Sequence, residues 1–211
     1  MNVNNDRLTV LIAQFDRAYE IAKARLDGFV SPASLPEDAE LTKRQAGGNT
    51  LTDEEYLWRP TANTWTIHPR SEITTSKAFG AGDWVLDNES FDPDPAPVAT
   101  IAWRIGHLHS TFAGRLEWTF GGRHISPKEL VDFSPSADKA LAQLWSTLDE
   151  WREKLLTLTD EQLDQIGFGQ YPNGSDPEEP FISVIWWTNL ELIHHMAEIA
   201  LLRDLWRERL I

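Results

Sequence analysis

Residues 182–206, ISVIWWTNLELIHHMAEIALLRDLW, decide the fold, because this stretch is long, mostly apolar and free of proline and glycine. It predicts one long helix. At about 100° per residue, one broad sector of that helix is mostly apolar but also carries an acid and an imidazole. Its members are Val184, Thr188, Glu191, His195, Leu202 and Trp206. A carboxylate placed there needs a cation, an arginine or a protonated histidine beside it, since burying it unpaired costs several kcal/mol.

The same helix has apolar residues outside that sector, and they predict cover by the inserted loops or by a second subunit. They are Ile182, Ile185, Trp186, Ile193 and Met196.

Three more segments have helical spacing, and together with the last one they predict a four-helix bundle. The first carries apolar residues from Leu8 to Leu26, with Gly28 as its stop. The second covers residues 98–120, with one stripe through Ile105 and Phe112 and another through Trp103 and His107. The third follows the cap Ser134-Pro135 and carries apolar residues up to Leu158.

The connection between the first two long helices is long and irregular. Residues 30–49 are rich in Pro, Ser, Gly and charge, and Thr52-Asp53-Glu54-Glu55 is a capping-box pattern that opens a short helix. Residues 59–98 contain many prolines and no sustained helical period, although residues 64–67 and 84–86 are candidate short strands. We therefore predict an all-α fold, with a loop and short-strand insertion, in a single domain over residues 1–211.

Composition excludes several function classes. The net charge of −14 disfavours nucleic acid and anionic membranes as partners, and the absence of cysteine excludes disulfides and thiolate sites. No signal peptide or membrane-length apolar run is present, so we expect a cytoplasmic protein. Phosphate-loop, dinucleotide and nucleophile-elbow motifs are also missing.

Glu191 and His195 are spaced so that both can bind one divalent ion, because residues four apart share a helix face. A third ligand would come from another helix, and His107 on the second helix is the leading candidate. Two imidazoles and one carboxylate leave positions open on the ion, as catalytic sites do. The ion would then activate water or an external thiol. The alternative is a plain ion pair between Glu191 and His195, with His107 a hydrogen-bonded core histidine.

The other histidines have weaker claims. His109 and His194 are expected near the site or at the surface, and His68 and His124 in loops. Glu198 lies one turn beyond His195, where it would either form an ion pair with Arg203 or hold the second nitrogen of a ligating imidazole.

Two helical segments carry a family resemblance. TIAWRIGHL at residues 100–108 and ELIHHMAEIALLRDL at residues 191–205 resemble the DinB-like superfamily, especially its actinobacterial-type members. WRP at residues 58–60 and NTWT at residues 63–66 are also similar to it. The resemblance implies a four-helix bundle that is often a homodimer. It also implies relatives such as mycothiol-dependent maleylpyruvate isomerase and the bacillithiol transferases, which join a low-molecular-weight thiol to a substrate.

Many members of that superfamily hold a divalent ion with three histidines. His107 matches the one on the second helix, and His195 matches the second of the pair on the last helix. Glu191 stands where the family usually has the other histidine. A carboxylate oxygen can still bind Zn, Ni, Mn or Fe, but the change can equally mark loss of the metal or a different choice of it.

Two hypotheses about function follow. The first is a metal-dependent enzyme that uses His107, Glu191 and His195, most simply a thiol-dependent transferase acting on a small molecule, with hydrolysis or isomerisation left open. The second is a metal-free, non-catalytic bundle that binds a ligand or serves a stress response.

Overall fold

The computed structural model describes residues 6–27, 50–73, 78–88, 95–122, 125–169 and 178–208. Its helices, numbered along the chain, are α1 (Asp6–Leu26), α2 (Asp53–Tyr56), α3 (Ile101–Thr119), α4 (Pro127–Leu130), α5 (Ala137–Leu155), α6 (Asp160–Asp164) and α7 (Phe181–Glu208). Its strands are β1 (Thr64–Trp65), β2 (Ile67–Pro69), β3 (Trp84–Leu86) and β4 (Val98–Ala99). The predicted all-α bundle, with short strands between its first two long helices, is confirmed. The predicted connection at residues 30–49 and His124 lie outside the described residues.

The four long helices form a ring of neighbours. α3 packs against α5 and α7, and α1 packs against α7 and α5. Apolar residues predicted on the four long helices line the interior, where Phe15, Leu108, Phe112, Trp151 and Val184 are almost completely buried. Burial of side chains of this size removes apolar surface from water and is the main force that holds the bundle together.

α3 begins later than predicted, at Ile101 rather than at residue 98. Val98 and Ala99 form β4, which pairs in parallel with β1. The Thr100 hydroxyl then caps the helix by accepting a hydrogen bond from the Trp103 N–H at 3.1 Å. The strand pairing and the cap together fix the start of the helix that carries His107.

α5 also begins differently from the prediction, because its cap is supplied partly by a distant residue. Ser136 is the N-cap but makes no side-chain capping bond. The carboxylate of Asp53, on α2, accepts the Ala137 N–H instead at 2.6 Å. The predicted cap, Ser134, accepts the Ser136 N–H with its hydroxyl at 3.1 Å, so it shapes the turn before the helix.

α2 is tied to the end of α7 by a buried ion pair. Thr52 caps α2 as predicted, accepting the Glu55 N–H at 3.2 Å. The Glu55 carboxylate then receives the Arg203 Nε–H at 2.7 Å, with both side chains almost fully buried. Arg203 is therefore not the partner of Glu198, which corrects one of the two predicted contacts of that acid.

The antiparallel pair β2–β3 lies against α3, and one glycine permits that contact. A Cβ built on Gly106 would lie 2.9 Å from a Leu86 methyl carbon of β3 and 3.1 Å from the Phe133 ring. Any larger residue would force the Leu86 side chain and the Phe133 ring to move. None of the helices in the described ranges is long and apolar enough to cross a membrane.

Candidate metal centre

The three predicted ligands meet at the α3–α7 seam. His107 projects from α3, and Glu191 and His195 project from successive turns of α7. Each offers one ligand atom, and the three atoms lie within 4.8 Å of one another. Glu191 Oε2 lies 3.3 Å from Nε2 of His107 and 3.3 Å from Nε2 of His195. The structure thus brings together side chains that are 84 positions apart in the chain.

The cluster is partly exposed to solvent. The side chains of His195 and Glu191 are 13% and 19% exposed, and that of His107 is 30% exposed. This leaves the imidazole of His107 as the part of the cluster most open to solvent.

The two imidazoles stabilise the charged form of Glu191. Hydrogen bonding from His107 first, and then from His195, lowers the pKa of Glu191 to about 2 despite its partial burial. An ionised carboxylate is the form that binds a cation. The cluster is therefore already anionic at Glu191 over the neutral pH range.

His195 has a second acidic neighbour. Its Nδ1 lies 2.7 Å from Glu198 Oε2, which also accepts a hydrogen bond from Arg104 Nε at 2.7 Å. Burial alone would lower the pKa of His195, but the hydrogen bonds to Glu191 and Glu198 outweigh it and raise that pKa. Burial would likewise raise the pKa of Glu198, but the hydrogen bonds from Arg104 and His195 outweigh it and lower that pKa. Of the two roles predicted for Glu198, contact with the imidazole is the one the structure shows.

A stack of aromatic rings forms one wall beside the cluster. The Trp103 indole lies parallel to the His107 ring, with centroids 4.8 Å apart and planes 6° apart. Trp65 of β1 stacks on Trp103 at 5.4 Å, and the Trp103 Nε1–H donates to the Asp87 carbonyl at 2.8 Å. The Trp103 ring therefore packs on one face of the His107 imidazole, and it also contacts the His195 ring edge to face at 6.2 Å.

The remaining described histidines do not join the cluster. His109 faces α5, where its Nδ1 lies 3.0 Å from the Thr147 hydroxyl, and burial lowers its pKa to about 4. His109 was expected near the site or at the surface, and this prediction is wrong. His194 is 63% exposed and stacks on His195 at 5.3 Å. His68 lies on β2, 2.9 Å from the Asp87 carboxylate.

Sequence reasoning missed Arg104 and Trp65 as parts of this site. A signal existed for Arg104, because it lies three residues before His107 and therefore on the same face of α3. No comparable signal existed for Trp65, whose position depends on the pairing of β1 with β4.

The donor set suits a borderline divalent cation. Two neutral imidazole nitrogens and one carboxylate oxygen are ligands that Zn, Ni, Mn and Fe accept, and three protein ligands leave room for a further molecule. The distances of 3.3 Å between donor atoms are compatible with an ion held between them, since each ligand bond is about 2 Å long.

Comparison with known proteins agrees with the fold and with the two helical motifs. The family model described as the DinB superfamily matches residues 48–199, which covers α2 to most of α7. No curated protein and no solved structure matched the chain. With a match over more than half of its length, the chain belongs to the DinB superfamily.

Proposed function

We propose that this protein is a metal-dependent enzyme in which His107, Glu191 and His195 hold one divalent ion, and that it transfers a low-molecular-weight thiol to a small electrophilic substrate. The observation that carries the proposal is the convergence of three ligand atoms within 4.8 Å at a seam that solvent can reach. Membership of a superfamily whose members often bind metal supports it.

The chemistry needs little beyond what the cluster supplies. A divalent ion bound there would lower the pKa of a thiol or a water molecule and so make it a better nucleophile. Around it, Glu191 contributes the negative charge that offsets the cation, and the Trp103 ring holds His107 in place. Relatives named by the resemblance, the mycothiol- and bacillithiol-dependent enzymes, make thiol transfer the first choice over hydrolysis or isomerisation.

Metal binding tests the first half of the proposal. Metal-stripped protein is titrated with Zn, Ni, Mn or Co in a calorimeter, and the bound ion is counted by elemental analysis. We expect one ion per chain in the wild type, and none retained by H107A or H195A.

One histidine variant provides a matched control. H109Q changes the next histidine of α3, which faces α5. It should bind one ion as the wild type does. A wild type that retains no ion with any of these metals would exclude the metal-dependent function.

Thiol transfer tests the second half. The metal-loaded protein is incubated with mycothiol or bacillithiol and a panel of small electrophiles, and adducts are followed by mass spectrometry. We expect thiol consumption that H107A abolishes and H109Q preserves. Metal binding without thiol consumption, but with hydrolysis of an ester or amide panel, would reassign the activity to a hydrolase.

One observation favours the second candidate, a non-catalytic bundle that binds a ligand or serves a stress response. Glu191 already has two imidazole neighbours at 3.3 Å, and these satisfy its charge with no ion present. This candidate requires that added Zn, Ni or Mn leave the melting temperature unchanged. The first candidate requires that the added metal raise the melting temperature of the wild type but not that of H107A.

A homodimer forms part of the proposed function, and its contact surface would be the apolar groove between α1 and α7. The groove has a volume of about 470 Å³ and is lined by Ile21, Ile193 and Met196 among others. Ile21 and Ile193, which both line the groove, are 49% and 39% exposed. A second copy would bury them. Two of the apolar residues predicted outside the Glu191 sector of the last helix have different surroundings. Ile185 is buried inside the bundle, whereas Ile193 lines this groove.

Sedimentation equilibrium of I21E tests the dimer. A glutamate in the groove should convert a dimeric wild type to monomers, because two copies would bury like charges. L156E is the control, since Leu156 is similarly exposed at 56% but lies at the end of α5. A monomeric wild type would exclude the dimer.

The cytoplasmic location expected from the sequence remains a prediction.

A further inference from the structure

The contacts of His195 distinguish its two ring nitrogens. Nδ1 lies 2.7 Å from Glu198 Oε2, whereas Nε2 lies 3.3 Å from Glu191 Oε2 and faces the centre of the cluster. An ionised carboxylate only accepts hydrogen bonds, so each contact needs a proton on the nitrogen that faces it, and in a neutral ring with a single proton the shorter contact favours Nδ1. A neutral imidazole with its proton on Nδ1 presents the Nε2 lone pair to the cluster.

Glu198 is itself held from another helix. Its Oε2 accepts from Arg104 Nε of α3 at 2.7 Å, and the two residues are 94 positions apart. One oxygen thus receives a donor from α3 and a donor from the ligand on α7. The pair fixes the carboxylate in a position where its lone pair meets Nδ1 and leaves it little freedom to turn away.

The arrangement is not what stability alone would select. The Arg104 side chain is only 12% exposed, and its Nη1 has no hydrogen-bond partner within the part of the chain that the structure describes. A buried guanidinium nitrogen without a partner is unfavourable, and such groups in native proteins usually have another reason to be retained. Orienting a ligand of the adjacent site is such a reason.

We propose that Glu198, anchored by Arg104, is a positioning residue that keeps the proton of His195 on Nδ1 and aims the Nε2 lone pair at the point shared with His107 and Glu191. The inference rests on the proposed metal-dependent function for its purpose. Its structural content, the tautomer of His195, is independent of any ion.

The tautomer is measured first, on metal-free protein. Nitrogen-15 NMR of the histidine side chains, at a pH well above the pKa of His195, distinguishes the protonated from the unprotonated nitrogen of each neutral ring. We expect the Nδ1–H form in the wild type and a shift toward the Nε2–H form in E198A, since Glu191 is then the remaining acceptor beside the ring. E198Q keeps an acceptor oxygen and should retain part of the Nδ1–H form.

Metal affinity is measured second. E198A should weaken binding of Zn or Ni about 10- to 100-fold without changing the number of ions bound, as loss of an orienting hydrogen bond does at other sites. R104K retains a charged donor and should weaken binding less than R104M. Urea unfolding of each variant establishes that it is folded before it is compared.

D204A serves as the matched control. Asp204 is another carboxylate of α7 paired with an arginine, 2.9 Å from Arg25, but it is exposed and lies beyond the cluster. It should change neither the tautomer nor the affinity.

The tautomer and the metal affinity test the positioning role of Glu198 separately from the metal-dependent function. A wild-type His195 with its proton on Nε2, or a tautomer that E198A leaves unchanged, overturns the positioning role whatever the metal result. An Nδ1–H tautomer that depends on Glu198 in a protein that binds no ion upholds the positioning and overturns the metal-dependent function.

Discussion

The two sides of α3 show opposite ways of placing histidine in a helical bundle. On the side that faces α5, the His109 imidazole lies 3.0 Å from the Thr147 hydroxyl. Burial lowers the pKa of His109 to about 4. On the side that faces α7, His195 lies between Glu191 and Glu198, and these hydrogen bonds raise its pKa in spite of burial. Burial therefore does not fix the charge of an imidazole. The acids within hydrogen-bonding distance decide it.

The difference also separates the two tasks of the helix. The α5 side holds the core together through contacts such as Phe112 with Trp151, at a centroid distance of 5.9 Å. The α7 side gathers the charged groups of the proposed metal site. Stability and metal binding should therefore respond to different substitutions.

The largest effect is expected for F112A, which damages only the packing side. Phe112 is fully buried and contacts Phe15 and Trp151, so truncation should lower the free energy of unfolding by about 3–5 kcal/mol. Urea unfolding measures the loss. At a temperature where the variant is folded, one ion per chain should still bind. Loss of the ion from a folded F112A would break the proposed division.

The sequence anticipated this division only in part. Helical periodicity was enough to predict all four long helices and the two apolar stripes of α3, because spacing along one helix is a local property. The i, i+4 spacing of Glu191 and His195 gave two members of the cluster, while His107 was chosen from its place on a stripe and from the family resemblance.

Contacts between distant segments account for what was missed. The cap of α5 comes from Asp53, 84 positions earlier, and the acid that orients His195 is held by Arg104, 94 positions away. No local pattern encodes either contact. Five-residue α6 was missed for a different reason, since a helix of its length is too short to show a period, although Thr159 and Gln162 form a complete capping box.

The second effect concerns the acid sensitivity of the packing side. His109 has a folded-state pKa of about 4 against an ordinary value of 6.5, so the unfolded chain binds more protons between these values. Stability should therefore fall as pH drops from about 6.5 toward 4, by at most roughly 3 kcal/mol from this residue. H109Q, which cannot be protonated, should lack this part of the loss.

Urea unfolding at a series of pH values compares the wild type with H109Q. The difference in unfolding free energy between the two should change across that window and be constant above it. Parallel pH profiles would mean that His109 is protonated as readily in the folded protein as in the unfolded chain.

The third effect is stabilisation by the ion, which should involve only the α7 side. A ligand at 100 times its dissociation constant stabilises the folded state by about 2.7 kcal/mol. Zn or Ni at that concentration should raise the unfolding free energy of the wild type and of H109Q equally. H107A should gain nothing, although it differs from H109Q by only two positions on the same helix. Equal gains in H107A and H109Q would place the ion elsewhere in the protein.

The smallest effect is expected for E191Q in metal-free protein. Glu191 lies 3.3 Å from two imidazole nitrogens, and loss of its charge should lower the unfolding free energy at neutral pH by roughly 1–2 kcal/mol. Hydrogen bonding from His107 and then His195 holds the pKa of Glu191 at about 2 against 4.5 in the unfolded chain. The unfolded chain thus takes up the proton first as pH falls, so this contribution to stability is complete above about pH 4.5 and is lost toward pH 2.

The stability difference between the wild type and E191Q should narrow over that pH range, whereas the loss of stability from His109 occurs in both proteins and cancels. A difference that stays constant down to pH 2 would show that the two imidazoles do not hold the charge of Glu191, and the α7 side would then differ from the α5 side less than its geometry indicates.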